Sequence, residues 1–159
     1  MTLSHPPALA DAGGLVLAPP VHLAPLRVLC VDDNQDAADS LGALLRLVGF
    51  DARVCHDAAT ALSVAGDFAP EACVLDVTMP GMDGCELAAL FRARAGGAAL
   101  FLVAVTALGD AEALARTEVA GFDLHLVKPV APQRLIDALF AFERRHRAEA
   151  HSYVRLRPD

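Results

Sequence analysis

Five side chains at four points of this chain have the chemistry to handle a phosphoryl group: Asp32 with Asp33, Asp76, Thr106 and Lys128. Brought together, three carboxylates repel one another and raise each other's pKa. A hard divalent cation relieves that repulsion, and Mg²⁺ suits the purpose because it binds through one or two carboxylates plus water and phosphate oxygens. A carboxylate beside Mg²⁺ can then accept a phosphoryl group as an aspartyl phosphate. A threonine hydroxyl and a lysine ammonium would serve the phosphoryl oxygens, since such transfer depends on positioning and charge neutralisation. Taken singly the residues are ordinary: a strand-end Asp commonly caps a helix, Thr suits a strand, and Lys is usually a solvated charge. Yet Lys128 is the single lysine among 13 basic residues, all the others being Arg. Ammonium and guanidinium are not interchangeable where geometry matters, which marks this position.

The chemistry requires elements that bring these residues to one place. Val28–Val31 is a continuous apolar run, the pattern of a strand buried on both faces, and Asp32-Asp33-Asn34 ends it. Leu41, Leu44, Leu45 and Val48 recur at helical spacing, so a helix is expected over about 35–48, closed by Gly49. A short strand follows at 51–55, and Asp57 caps a small helix to about 65. The central strand, 72–76, ends in Asp76; Pro80 and Gly81 then turn the chain, and Asp83 with Glu86 forms an Asp version of the capping box for a helix over 84–94. Leu100–Val105 is a further buried strand ending at Thr106, followed by a helix over about 110–119, a strand at about 123–127 and a last helix over roughly 131–146. Five strand-then-helix units imply a parallel sheet with helices on both faces. The expected fold is α/β, a doubly wound flavodoxin-like (βα)5 with strand order 2-1-3-4-5, whose ligands lie at the carboxyl ends of the strands. Asp32-Asp33, Asp76, Thr106 and Lys128 all fall at those ends.

Composition narrows the function. A chain of 159 residues suits one domain with a real core. Net charge is −7, which argues against nucleic acid as the main partner. Mean hydropathy is +0.41, but no apolar run reaches the about 18 residues of a membrane span. The first basic residue is Arg27, so no secretory signal is expected. Cys30, Cys55, Cys73 and Cys85 show no CxxC pair or disulfide framework and read as small buried hydrophobes in a reducing cytoplasm. Residues 1–25 are rich in Ala and Pro, with Gly13-Gly14, and read as a flexible arm whose leucines and valines leave room for a docked strand.

Taken together, Val31-Asp32-Asp33-Asn34, Asp76 with Met79-Pro80-Gly81-Met82-Asp83-Gly84, Thr106-Ala107 and Lys128-Pro129 resemble a response-regulator receiver domain, over about residues 26–145. The opening stretch is similar to receivers of hybrid histidine kinases. The resemblance implies that Asp76 is the phosphoacceptor and Asp33 a direct Mg²⁺ ligand. Asp32 would hold the metal largely through water, and the backbone carbonyl of Thr78 would be a further ligand. Thr106 would be the switch hydroxyl and Lys128 the phosphate-pairing lysine, with a Lys128-Pro129 bond that is often cis in the family. The family's switch aromatic falls at His125. There the chain departs from the pattern, either with a histidine that merely fills the slot or with an altered, pH-sensitive switch.

The resulting expectation is a receiver domain over 26–146 with a C-terminal tail, 147–159, too short to hold an output domain. Glu143–Arg147 in that region reads as a solvated helix end. The implied partners are a histidine kinase or histidine phosphotransfer protein and a downstream protein bound through the 4-5 face, with a homodimer possible and neither nucleic acid nor membrane. Such a chain accepts phosphate without being an enzyme. A phosphorylation-independent receiver-like interaction module is the alternative; a small phosphotransfer enzyme ranks last, because no cap or second substrate domain is evident. On the last helix Ile136 and Phe140 widen the apolar arc beyond the about 100° that a one-sided helix needs. That edge is either a dimer or partner surface or is covered by the first helix.

Overall fold

The computed structural model describes residues 24–107, 109 and 111–155. The proposed docking of the 1–25 arm therefore lies almost wholly outside the described residues. Ten elements alternate: β1 (Arg27–Val31), α1 (Gln35–Leu47), β2 (Asp51–Cys55), α2 (Ala58–Phe68), β3 (Ala72–Asp76), α3 (Gly84–Ala95), β4 (Phe101–Thr106), α4 (Ala111–Ala120), β5 (Leu124–Val127) and α5 (Pro132–Arg155). The strands form one parallel sheet in the order β2-β1-β3-β4-β5, as the strand-helix alternation predicts.

Alternate residues of each strand point to opposite faces, and each face is covered. Val28, Cys30, Val74 and Val103 pack with Leu45 of α1 and Leu135, Ile136 and Leu139 of α5. Leu29, Val31, Leu75 and Leu102 pack with Ala61 and Phe68 of α2 and Leu87, Ala88 and Phe91 of α3. Double coverage explains why the strands read as unbroken apolar runs rather than alternating ones. Each fully buried leucine contributes about 1.5–3 kcal/mol of transfer free energy. The cysteines are part of this packing: Cys30, Cys55 and Cys73 are buried free thiols, and burial pushes the Cys30 thiol up to about 12.

Three helix starts are capped by side chains that accept from the backbone N–H three residues on: Asn34 from Ala37, Asp57 from Thr60 and Asp83 from Glu86, at 3.1, 2.7 and 2.9 Å. Two helices run longer than expected. α2 passes Gly66 to Phe68, because Phe68 is buried in the core beneath it and holds the last turn before Ala69 leaves in the left-handed conformation at φ 48°. α5 continues past residue 146 to Arg155, so the segment beyond 146 begins as helix rather than tail. The Glu143–Arg147 stretch is also not simply solvated. Phe142 stacks on Phe101, His146 stacks on Phe142 and approaches Glu71 at 3.4 Å, and Arg147 donates to the carbonyl of Ala24. Ile136 is buried, and Phe140 lies 4.6 Å from Phe50 in the same cluster as Leu41, Leu44 and Leu45 of α1. The wide apolar arc of α5 is thus covered from within. No helix among the described residues is long and apolar enough to cross a membrane.

Candidate functional site

Strand register gathers the candidate residues. Val31 pairs with Leu75, Asp76 with Val105, and Thr106 with Val127, so β1, β3, β4 and β5 end side by side. Beyond the strands the ladder continues by a few bonds that fix the loops: Asp32 N–H donates to Cys55 O, Val77 N–H to Val105 O and Lys128 N–H to Thr106 O, at 3.2, 3.0 and 2.7 Å. One oxygen from each of Asp32, Asp33 and Asp76 then lies within 4.8 Å of the others. Asp33 is exposed, Asp32 half-buried and Asp76 only 6% exposed. Thr106 is buried at the adjacent strand end.

Lys128 closes this arrangement. Its Nζ donates to Asp32 Oδ2 at 3.2 Å and stands 3.7 Å from Asp76 Oδ1. Asp32 Oδ1 accepts from Asn34 N–H at 2.9 Å, and Asp76 Oδ1 from Thr78 N–H at 3.3 Å. One ammonium does not balance three carboxylates. Burial, then the charge of Asp32, pushes the Asp76 carboxyl up to about 6, against the pull of Lys128 and the Thr78 N–H. For Lys128 burial works downward, but the bond to Asp32 and the charges of Asp76 and Asp32 outweigh it, and its pKa is raised.

The loop from Val77 to Asp83 holds β3 against α3. Met79 is buried in the core, Gly81 takes φ 76° to reverse the chain, and Gly84 N–H donates to Val77 O at 3.0 Å. Gly84 has a stricter reason to be glycine: a Cβ there would sit 2.3 Å from Asp76 O and 2.8 Å from Val77 Cα. Thr78 is exposed beside Asp76. The Lys128–Pro129 peptide is cis.

His125 stands on β5 opposite Ala104 of β4. Its Nδ1 lies 3.0 Å from Thr117 Oγ1 of α4, and that hydroxyl also donates to Leu114 O at 2.8 Å. A hydroxyl has one proton, so with it given to Leu114 the imidazole carries its own proton on Nδ1. Its Nε2 is buried and has no hydrogen-bond partner among the described residues. Two contributors carry no signal in the sequence. Thr117 is a buried polar residue on α4, and Arg116 pairs with the cap residue Asp83 at 3.0 Å across 33 positions. Nothing in residue type or spacing signals the last of these, because the contact exists only once α3 and α4 are packed.

Comparison with known proteins supplies context. The family model described as response regulator receiver domain matches residues 28–140. The chain is 32% identical over 123 residues to the DNA-binding response regulator MtrA of Mycolicibacterium smegmatis, covering 77% of this chain and 53% of that protein. It is 37% identical over 126 residues to the transcriptional regulatory protein PrrA of Mycobacterium leprae, covering 79% of this chain and 53% of the relative. The chain spans about half the length of these curated relatives. Among solved structures, a putative response regulator from Chloroflexus aurantiacus J-10-fl aligns with TM-score 0.68 and 31% identity over 74% of this chain and 97% of that one. A CheY-like receiver domain protein from Methanospirillum hungatei JF-1 shares the fold, with TM-score 0.72 and 24% identity over 79% and 98% of the two chains.

Proposed function

This chain belongs to the response regulator receiver domain family, and from that premise we propose that it takes a phosphoryl group onto Asp76 and relays its arrival to a protein-binding surface. The observation that carries the reading is the convergence of Asp32, Asp33, Asp76 and Lys128, with Asp76 buried at the strand end. The donor set is all oxygen and anionic, and the Asp76 carboxyl is raised by its burial first and by the charge of Asp32 second, so the residues fit a hard divalent cation. Asp33 and Asp76 would hold Mg²⁺ directly, with Asp32 acting largely through water and the Thr78 carbonyl as a further ligand. When bound, the metal supplies charge neutralisation for the phosphoryl oxygens.

The chain's own groups do the rest. An Asp76 carboxylate oxygen forms a bond to phosphorus while the bond from phosphorus to the donor breaks, and the leaving group carries away the electron pair. For a phosphohistidine of a histidine kinase or histidine phosphotransfer protein, the leaving group is the imidazole. Lys128 and the Thr106 hydroxyl would each engage a phosphoryl oxygen. Both stand next to β5, so they would draw the loops after β4 and β5 inward and bias the face built from α4, β5 and α5. The chain in this reading is an acceptor and not an enzyme acting on a free substrate. A cytoplasmic setting and an output through a downstream protein or a second copy suit the net charge of −7 better than direct nucleic-acid contact, although MtrA is named as DNA-binding.

The test is intact-mass measurement after treatment with acetyl phosphate and Mg²⁺. One phosphoryl adduct is expected on the unaltered chain and none on Asp76→Asn; an undiminished adduct in the variant rules out the assignment. His125 favours a second reading, a phosphorylation-independent interaction module, because a histidine fixed to Thr117 replaces the family's mobile aromatic. Partner binding unchanged by acetyl phosphate in a chain that does gain the adduct would select it.

A further inference from the structure

A cleft of about 530 Å³ opens at the edge of the sheet opposite the acidic cluster, where β1, β3 and β4 begin. It lies between the C-terminal ends of α2 and α3. Arg27, Arg94, Glu71 and His146 supply its polar groups, and Phe91 and Leu100 are among its apolar walls. The proposed phosphoacceptor chemistry uses none of these residues.

The polar groups are held in place before any ligand arrives. Arg27 Nε donates to Ala69 O at 2.8 Å, and its guanidinium stands 3.7 Å from Glu71. Arg94 donates to Leu62 O at 3.1 Å. Each guanidinium carries five N–H donors, so these bonds orient the forks and leave donors to spare. His146 is steadied by its stack on Phe142 and by Glu71 at 3.4 Å. Two guanidinium groups and an imidazole thus face one carboxylate, on a chain whose net charge is −7. A neighbouring cavity of about 390 Å³ shares His146 but sets two carboxylates, Asp123 and Glu149, against Arg92 and Arg145. Small-molecule sites typically enclose about 300–1,000 Å³, mostly apolar with a few convergent polar groups.

We propose that the cleft bounded by Arg27, Arg94 and His146 binds a small organic oxyanion, its charged oxygens on the guanidinium groups and its apolar body against Phe91 and Leu100. Planar forks favour a carboxylate or a phosphoryl-type head over a halide. Glu71 lies just before β3, whose far end is Asp76, so an occupant would sit beside the start of the strand that ends in Asp76.

The test is amide NMR titration of the full chain with phenylphosphonate in the presence of EDTA, since this compound has no transferable phosphoryl group. Saturable shifts centred on residues 65–71, 91–100 and 146 are expected. Benzoate should shift the same residues, and benzyl alcohol, with the body but no charge, should bind at least tenfold more weakly. Arg94→Gln should weaken phenylphosphonate at least tenfold. Gly66→Leu should also abolish binding by placing a side chain in the cleft without touching a cation; a Cβ at Gly66 meets nothing within 4 Å, and amide shifts unchanged away from the cleft check that the fold is kept. Shifts confined to the surroundings of Asp32, Asp76 and Lys128 would overturn the proposal. So would equal affinity for benzyl alcohol, or unchanged binding in both variants.

Discussion

The ammonium of Lys128 donates to Asp32 at 3.2 Å although 96 positions separate the two residues, and it lies nearer to Asp32 than to Asp76. A phosphoryl group on Asp76 would offer Lys128 a new anionic partner and so a reason to move. Arginine keeps the charge but is longer and planar. Lys128→Arg is therefore expected to accept phosphate at Asp76 yet fail to transmit the change. Amide shifts on adding beryllofluoride and Mg²⁺ check this: the variant should lose the shifts at residues 111–140 seen in the parent chain. Equal shifts would leave Thr106 as the transmitter.

Asp76 sets a pH dependence of unusual sign. Its carboxyl is raised from 3.8 to about 6 in the folded chain, so between those values the folded state binds more protons than the unfolded one. Metal-free stability should fall as pH rises through that window, by on the order of 2 kcal/mol. Asp76→Asn removes the penalty. In urea denaturation with EDTA the variant should be the more stable at pH 7, with the gap closing near pH 4. Added Mg²⁺ should stabilise the parent more than the variant.

Gly84→Ala should be costly for a reason unrelated to helix propensity, since the added carbon meets the Asp76 carbonyl at 2.3 Å. Backbone is what it strikes, so β3 and α3 have to separate. A loss of about 1–3 kcal/mol is expected from denaturant midpoints, with a smaller phosphoryl adduct after acetyl phosphate.

His125→Phe deletes a buried nitrogen that has no partner among the described residues, while Thr117 keeps its bond to Leu114. Removing an unsatisfied buried polar atom is neutral or favourable. The variant should match or exceed the parent's stability by up to about 1 kcal/mol. A loss above about 1 kcal/mol would mean that the Thr117 bond outweighs the orphaned nitrogen.

Phe140→Ala should destabilise the fold by about 2 kcal/mol or more, because its ring packs on Phe50. Light scattering should show no change in association state. A change in association with stability intact would restore Phe140 to an interaction surface.

Much of this architecture is legible in the residues because a parallel sheet leaves a simple trace. Val28–Val31 and Ala72–Leu75 are buried on both faces, so they read as unbroken apolar runs, and polar residues mark where they stop. Asp76, Thr106 and Lys128 were recognisable by standing at those stops. What stayed hidden depends on packing between distant elements. The end of α5 is anchored by Phe142 meeting Phe101, His146 meeting Glu71 and Arg147 meeting the Ala24 carbonyl, contacts with no local signature. The inward placing of Phe140 could not be told from exposure by periodicity, since both readings put it at the edge of the same apolar arc. The cleft around Arg27 and Arg94 is assembled from the starts of strands and the ends of helices, and no contiguous motif encodes it.

The single lysine gives the molecule a built-in reporter. Apart from the α-amino group, Lys128 is the only amine in the chain, so an amine-selective acylating reagent reads out one position inside the acidic cluster. Acylation needs the neutral amine, and the raised pKa of Lys128 keeps that form scarce while Asp32 holds the ammonium. Asp32→Asn should therefore speed labelling, and any event that draws the ammonium onto a stronger anion should slow it. Labelling kinetics followed by mass spectrometry would record the charge state of the cluster without a spectroscopic probe.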